Sequence, residues 1–355
     1  MRPAAAPPQR RGDVRMLVVA DRGEPRDGAL DDLLDLLRPE DVLVLNDAAT
    51  LPASLHGQTC SGADIELRLL GPVSTGRSWR GVVFGAGDWH TPTEHRPLPP
   101  RLQPGDGLAF QGGLGAEVTA CSALSDRLID IRFDRGGSEL WQALYRAGRP
   151  VQYSYLRDDL ALWSVQTVYG ARPWAVEMPS AGRPLTWSLL LALRRRGVIL
   201  ASLTHAAGLS STGDPVIDRA LPLPERFDIP LSTVRAIARA GQRGGRVIAV
   251  GTTVVRALEG NAVQHGGELC AGTGTTDLVI DRSFRPAVVD GILTGVHDPS
   301  QSHFHLLSAF ADENTLERAW RAATQLGYRC HEFGDSSLIV SERRSTRGHI
   351  ASLPM

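Results

Sequence analysis

The chain contains no lysine: all 38 of its basic residues are arginine. That excludes a mechanism built on a lysine Schiff base, and any phosphate loop that depends on a lysine. Cysteine is scarce and scattered. Cys60, Cys121, Cys270 and Cys330 form no C-x-x-C pair, so neither a zinc module nor a disulfide framework is expected. A reducing cytoplasm is the expected compartment. No apolar run approaches the roughly 18 residues that would cross a bilayer. The opening MRPAAAPPQRRGD has no apolar signal-peptide core. Net charge is only −1, which argues against general nucleic-acid binding but leaves room for a local arginine patch. There is no G-x-G-x-x-G fingerprint and no internal repeat.

What the chain does have is an α/β pattern interrupted once. Its 355 residues, 42% hydrophobic and 22% charged, suit a globular protein of two domains. Residues 1–14, rich in Pro, Ala and Arg, are expected to pack loosely. RMLVVA (15–20) and VLVL (42–45) predict strands, with a helix through Leu30, Leu33, Leu34 and Leu37 between them, stopped by Pro39. From residue 58 the composition changes. IELRLL (65–70), WRGVVFG (79–85), DGLAF (106–110), AEVTACSA (116–123) and RLIDIRF (127–133) predict five strands of a small antiparallel barrel. SELWQALYRAG (138–148) predicts a helix. The α/β pattern then resumes, with Thr186 and Ser232 as helix caps and strands at 198–203, 247–250, 276–280, 287–293 and 336–342. The expected architecture is a largely parallel sheet with helices (1–57 and 149–355) carrying an inserted barrel (58–148).

The chemistry is expected at strand ends and helix starts, where an open α/β sheet keeps its site. RVIAVGTTVVRALEG (246–260) delivers Gly251, Thr252 and Thr253 from a strand into a helix. Such a junction aims unpaired N–H groups and the positive helix end at one point and suits a carboxylate or phosphate. The two threonines read as caps or ligand donors, with Arg256 one turn on. Asn46 ends an apolar strand, and Ser180-Ala181-Gly182 makes a tight turn before a helix. His297, His303 and His305, spaced H-x5-H-x-H, match no common zinc pattern, so no metal is expected. His297 is the better acid/base candidate, with Ser302 as a possible cap of the next helix. Asp290 lies inside an apolar strand and needs a partner or a job; Asp335 belongs either to a turn or to the site.

Taken together, VLVLNDAATLPASLHG, SVQTVYGARPWAVEMPSAG, RVIAVGTTVVRALE, VVDGILTGVHDPSQSHFHLLSAFA and YRCHEFGDSSLIV resemble the S-adenosylmethionine:tRNA ribosyltransferase-isomerase family of the queuosine pathway. The resemblance runs from RMLVV to GDSSLIV. It implies transfer and isomerisation of the ribosyl part of S-adenosylmethionine onto 7-aminomethyl-7-deazaguanine in the anticodon loop of tRNA. Epoxyqueuosine would form, and adenine and methionine would leave. No metal or cofactor beyond that co-substrate is implied, and a monomer is expected. On this reading Thr252, Thr253 and Arg256 anchor the amino-acid carboxylate. His297, with Asp335 or Asp290, does acid/base work, and Asn46, Ser180, Gly182, Gly251 and Ser302 line the substrate. The chain departs from the family at Asp47-Ala48-Ala49, at Arg183-Pro184 (Leu-His in the family) and at Thr204-His205-Ala206, where the histidine falls one place early. Two alternatives therefore stand: the same chemistry on a small acceptor, or a non-catalytic binder of RNA or an S-adenosyl compound.

Overall fold

The structure, a computed structural model, describes residues 1–20, 24–74, 76–299 and 301–341. Its centre is a nine-stranded sheet. In spatial order the strands are Gly272–Thr276, Glu225–Ile229, Ile199–His205, Val42–Asn46, Val247–Val250, Gly291–Gly295, Ser336–Val340, Arg15–Ala20 and Arg26–Ala29. The four from Ile199–His205 to Gly291–Gly295 run parallel. The outer pairs are antiparallel except Ser336–Val340 with Arg15–Ala20. The sheet is thus mixed, with three of its four parallel pairings in the middle.

Those middle strands are apolar without a break because both of their faces are covered. Val42, Val44, Val247 and Ala249 point into one core, under the helices Leu231–Gln242, Thr252–Gln264 and Glu313–Gln325. Leu43, Leu45, Ile248 and Val250 point into the other, under Trp187–Arg195 and the single turn Leu33–Leu36. Each fully buried Leu or Val contributes about 1.5–3 kcal/mol, and the strict two-residue alternation fixes the register. Thr186 caps its helix through Leu189 N (3.2 Å), as its position before an apolar run predicts. Ser232 does not: the helix begins at Leu231 after Pro230, which supplies no side-chain cap.

The second body is a closed barrel of six antiparallel strands. Five match the expected segments. The sixth, Ser54–Thr59, lies ahead of residue 58 for most of its length. Its sequence SLHGQT has weak alternation, and Gly57 is there because a side chain would collide with Ala109 O and the ring of Phe110. The helix Gly137–Ala147 closes the barrel, and Arg149 returns the chain beside Ser54.

Three local expectations change. Residues 1–14 do not hang loose: Arg2–Pro3 pairs with Arg329–Cys330, and Ala4 is buried. The strand expected at 276–280 lies earlier, at Gly272–Thr276, where it can pair with Glu225–Ile229. The strand expected over 287–293 spans Gly291–Gly295, because residues 287–289 give their N–H groups to Glu259 rather than to a neighbouring strand. Among the described residues no helix is long and apolar enough to cross a membrane.

Candidate active site

Registry aligns the carboxyl ends of the four parallel strands in one row. Leu203 pairs with Asn46, and Val250 with Leu293. His205, Asn46, Gly251 and Thr294 therefore share one edge of the sheet. Asn46 ties it together: its Oδ1 accepts from His205 N (2.9 Å) and Ala48 N (3.1 Å). Its Nδ2 donates to His205 O (3.0 Å) and reaches Thr253 Oγ1 (3.4 Å).

Gly251 makes the turn from strand to helix with φ +91°, a conformation open to glycine. The helix Thr252–Gln264 has Gly251 itself at its cap position and no side-chain cap. Thr252 and Thr253 are therefore not caps, and the first N–H groups of the helix stay without intrahelical partners. A methyl on Gly251 would stand 3.4 Å from both Ala181 Cβ and Thr253 Oγ1. The turn Ser180–Gly182 thus lies directly against the Gly251–Thr253 junction. Gly182 is required in its turn, since a side chain there would strike the Tyr169 hydroxyl.

Arg256 is occupied. Its guanidinium is ion-paired with Glu225, and Nε donates to Leu278 O at 3.1 Å, while the buried Nη2 has no partner among the described residues. Glu225 also accepts from Gly208 N (2.7 Å) and lies 3.4 Å from Nε2 of His205. His205 is wholly buried, and burial lowers its pKa to about 4, so the ring is neutral. Sequence reading missed Glu225, which stands in PLPERFD with no motif around it. In the sequence His205 stands out only as a displaced histidine.

His297 gives or takes a hydrogen bond with Thr294 Oγ1 at 2.9 Å, and its ring stacks on His303 with centroids 5.1 Å apart and planes 14° from parallel. Burial lowers the His297 pKa to about 3, helped by its histidine neighbours. Burial, and then the charge of Arg256, lower the His303 pKa. His305 faces solvent. Ser302 opens the helix Ser302–Leu307, but the cap position is Gln301; the Ser302 side chain lies outside the described set.

The two aspartates have structural partners. Asp290 stands at the amino ends of the strands, opposite the site, where its carboxylate accepts from Val247 N (2.8 Å). Asp335 is at the correct edge, but its oxygens accept from Arg15 N (2.9 Å) and Arg329 N (2.8 Å). Those bonds tie the starts of the strands Arg15–Ala20 and Arg329–Cys330 to the residue that precedes Ser336–Val340. Among the described residues no group of three or more His, Cys, Asp or Glu is arranged to hold a metal. Arg183, at the family's Leu position, is buried over the Phe333 ring (4.8 Å) with Nε on Ser164 O (2.9 Å). Burial and Arg11 lower its pKa to about 10. Glu177, of the VEMPSAG segment, accepts from Tyr153 and from Ser210 N (2.8 Å) where the barrel meets the sheet, and burial raises its pKa.

Residues 2–339 match the family described as Queuosine biosynthesis protein. The chain is 34% identical over 349 residues to the S-adenosylmethionine:tRNA ribosyltransferase-isomerase of Trichlorobacter lovleyi, covering 95% of this chain and 96% of that one. It is 36% identical over 318 residues to the protein of that name from Gloeobacter violaceus, covering 87% and 84%. Its fold is similar to a crystal structure of S-adenosylmethionine tRNA ribosyltransferase from Thermotoga maritima, with TM-score 0.52 and 24% identity over 95% of this chain and 96% of that one.

Proposed function

Given that this chain belongs to the queuosine biosynthesis protein family, we propose that it is an S-adenosylmethionine-dependent ribosyltransferase-isomerase acting on tRNA. The acceptor is 7-aminomethyl-7-deazaguanine in the anticodon loop, the product epoxyqueuosine, and the leaving fragments adenine and methionine. One observation carries this reading. Asn46, Gly251–Thr253, Ser180–Gly182 and Thr294 with the His297–His303 pair converge on one sheet edge, in a chain about a third identical over nearly its full length to relatives bearing that name.

The reaction needs an anchor for a carboxylate, a base beside the sulfonium, and an acid for the departing adenine. The free N–H groups of Thr252 and Thr253, with the Thr253 hydroxyl, supply the anchor. Arg256 holds Glu225 in place rather than meeting the carboxylate itself. Glu225 puts negative charge near the sulfonium. Neutral imidazoles suit proton abstraction from the ribose carbon next to sulfur, and the stacked His297–His303 pair is such a group. His297 is already engaged with Thr294, so His303 is the base and His297 orients it. Asn46, Ser180 and Gly182 border the ribose and its base.

The test is release of adenine and methionine from S-adenosylmethionine, followed by mass spectrometry with and without tRNA carrying the aminomethyl base. Release that requires this tRNA, with epoxyqueuosine in the digest, is the expected result. Release without RNA would move the acceptor to a small molecule. Binding without release would leave a non-catalytic protein.

A further inference from the structure

Where the barrel meets the sheet, a cleft of about 760 Å³ opens between two tryptophan walls. On the barrel side the half-buried Trp141 presents its ring, set edge to face on the buried Trp79 with centroids 5.9 Å apart. On the sheet side the Arg226 guanidinium lies 3.9 Å above the Trp174 ring. Arg172, also on that wall, is neutralised by Asp228. Arg226 is not: among the described residues it has no carboxylate partner, its Nε is buried without an acceptor, and burial lowers its pKa. A half-buried cation without a counter-ion is costly unless a ligand brings the anion.

The cleft adjoins the candidate site through the backbone. Arg226 follows Glu225, and its carbonyl accepts from Ala206 N (2.9 Å), next to His205. The Trp174 wall is tied to the residue after Asn46, because Ala171 N donates to Asp47 O at 2.8 Å. Aromatic faces with one uncompensated arginine match a nucleotide: the base stacks, and the phosphate meets the guanidinium. An uncharged peptide or a lipid tail would leave the Arg226 charge unanswered.

We propose that this cleft holds an unstacked nucleotide flanking the reacting base in the RNA substrate, with its base on the tryptophan walls and its phosphate on Arg226. This assignment rests on the tRNA reading above. The cleft would then decide which loop sequences and shapes are accepted, while the sheet edge performs the chemistry.

The test is a binding cycle with the full chain and a hairpin of the anticodon stem and loop carrying the aminomethyl base. Two further hairpins each carry one abasic nucleotide, on the 5′ or the 3′ side of that base. The wild type should bind one abasic hairpin about 5- to 150-fold more weakly, the range for one base stacked on an aromatic side chain. Trp174→Leu should lose a similar factor on the intact hairpin and nothing more on the abasic one. Arg226→Gln, a change at a half-buried site that spares the core, should lower the slope of log affinity against log salt by about 0.7, one single-strand phosphate contact. Losses that multiply, an unchanged salt slope, or indifference to both abasic positions would overturn the assignment. Adenine release separates the two layers. If the wild type binds and turns over this hairpin while both variants match it, the cleft assignment alone fails. If the wild type neither binds nor turns it over, the tRNA reading fails and the cleft assignment with it.

Discussion

Nε2 of His205 lies 3.4 Å from Glu225, a carboxylate that is itself ion-paired to Arg256. The three come from different elements: the end of a central strand, the start of the strand next to it, and the second turn of a helix. Glu225 is the hub, since it also accepts from Gly208 N.

Removing the hub should therefore cost more than removing a surface acid. Glu225→Ala leaves Arg256 buried without its counter-charge, and breaking a buried pair from one side costs about 3–5 kcal/mol. Urea unfolding should register a loss of that order. The double variant Glu225→Met with Arg256→Met should recover much of it, because no charge is then stranded. Equal stability for Glu225→Ala and wild type would contradict the pairing.

Gly251 should tolerate no side chain. Gly251→Ala places a methyl at φ +91°, against Ala181 and the Thr253 hydroxyl. Strain in such backbone costs about 1–3 kcal/mol. Isothermal titration should show S-adenosylmethionine affinity falling along with thermal stability, since the strained residue carries the anchor.

Thr253→Val separates binding from folding. The substitution keeps the shape and removes the hydroxyl that faces Asn46 Nδ2. Unfolding free energy should change by no more than about 1 kcal/mol, the net worth of one hydrogen bond, while S-adenosylmethionine binding weakens about tenfold. Unchanged affinity would remove the hydroxyl from the anchor.

Stability against pH should show two opposed contributions. His205 is held neutral down to about 4, against 6.5 when unfolded. Between those values the unfolded chain binds the extra proton, so stability is lost as pH falls from 6.5 towards 4. Glu332 behaves oppositely. Burial raises it to about 7 from 4.5, so its contribution is present below 4.5 and lost as pH rises through 7. Glu332→Gln should therefore make the rise of stability between pH 4.5 and 7 steeper by about 1.4 kcal/mol per pH unit, and His205→Gln should make it shallower by a similar amount between 4 and 6.5. Denaturant melts at half-unit steps of pH check both; slopes identical to wild type would show that neither group is held in the state described.

Much of this molecule follows from local pattern. The unbroken apolar runs 42–45 and 247–250 mark strands covered on both faces, and they are. The strand, Gly251 turn and helix at 247–264 lie where the residues put them, because glycine conformation and helix start are decided within a few positions. Five barrel strands are legible from alternation alone. The arrangement of the site is not. Asp290, inside an apolar run, and Asp335, at a turn, are both site candidates in sequence, yet strand direction sends Asp290 to the amino ends, and both carboxylates are taken up by backbone amides. The antiparallel strand Glu225–Ile229 carries Glu225 to Arg256 across 31 residues, and stacking brings His303 onto His297. Local sequence determines which segments are strand, turn or helix, since those choices rest on neighbouring residues. Which charged groups meet depends on the order and direction of nine strands, and only the folded sheet decides that.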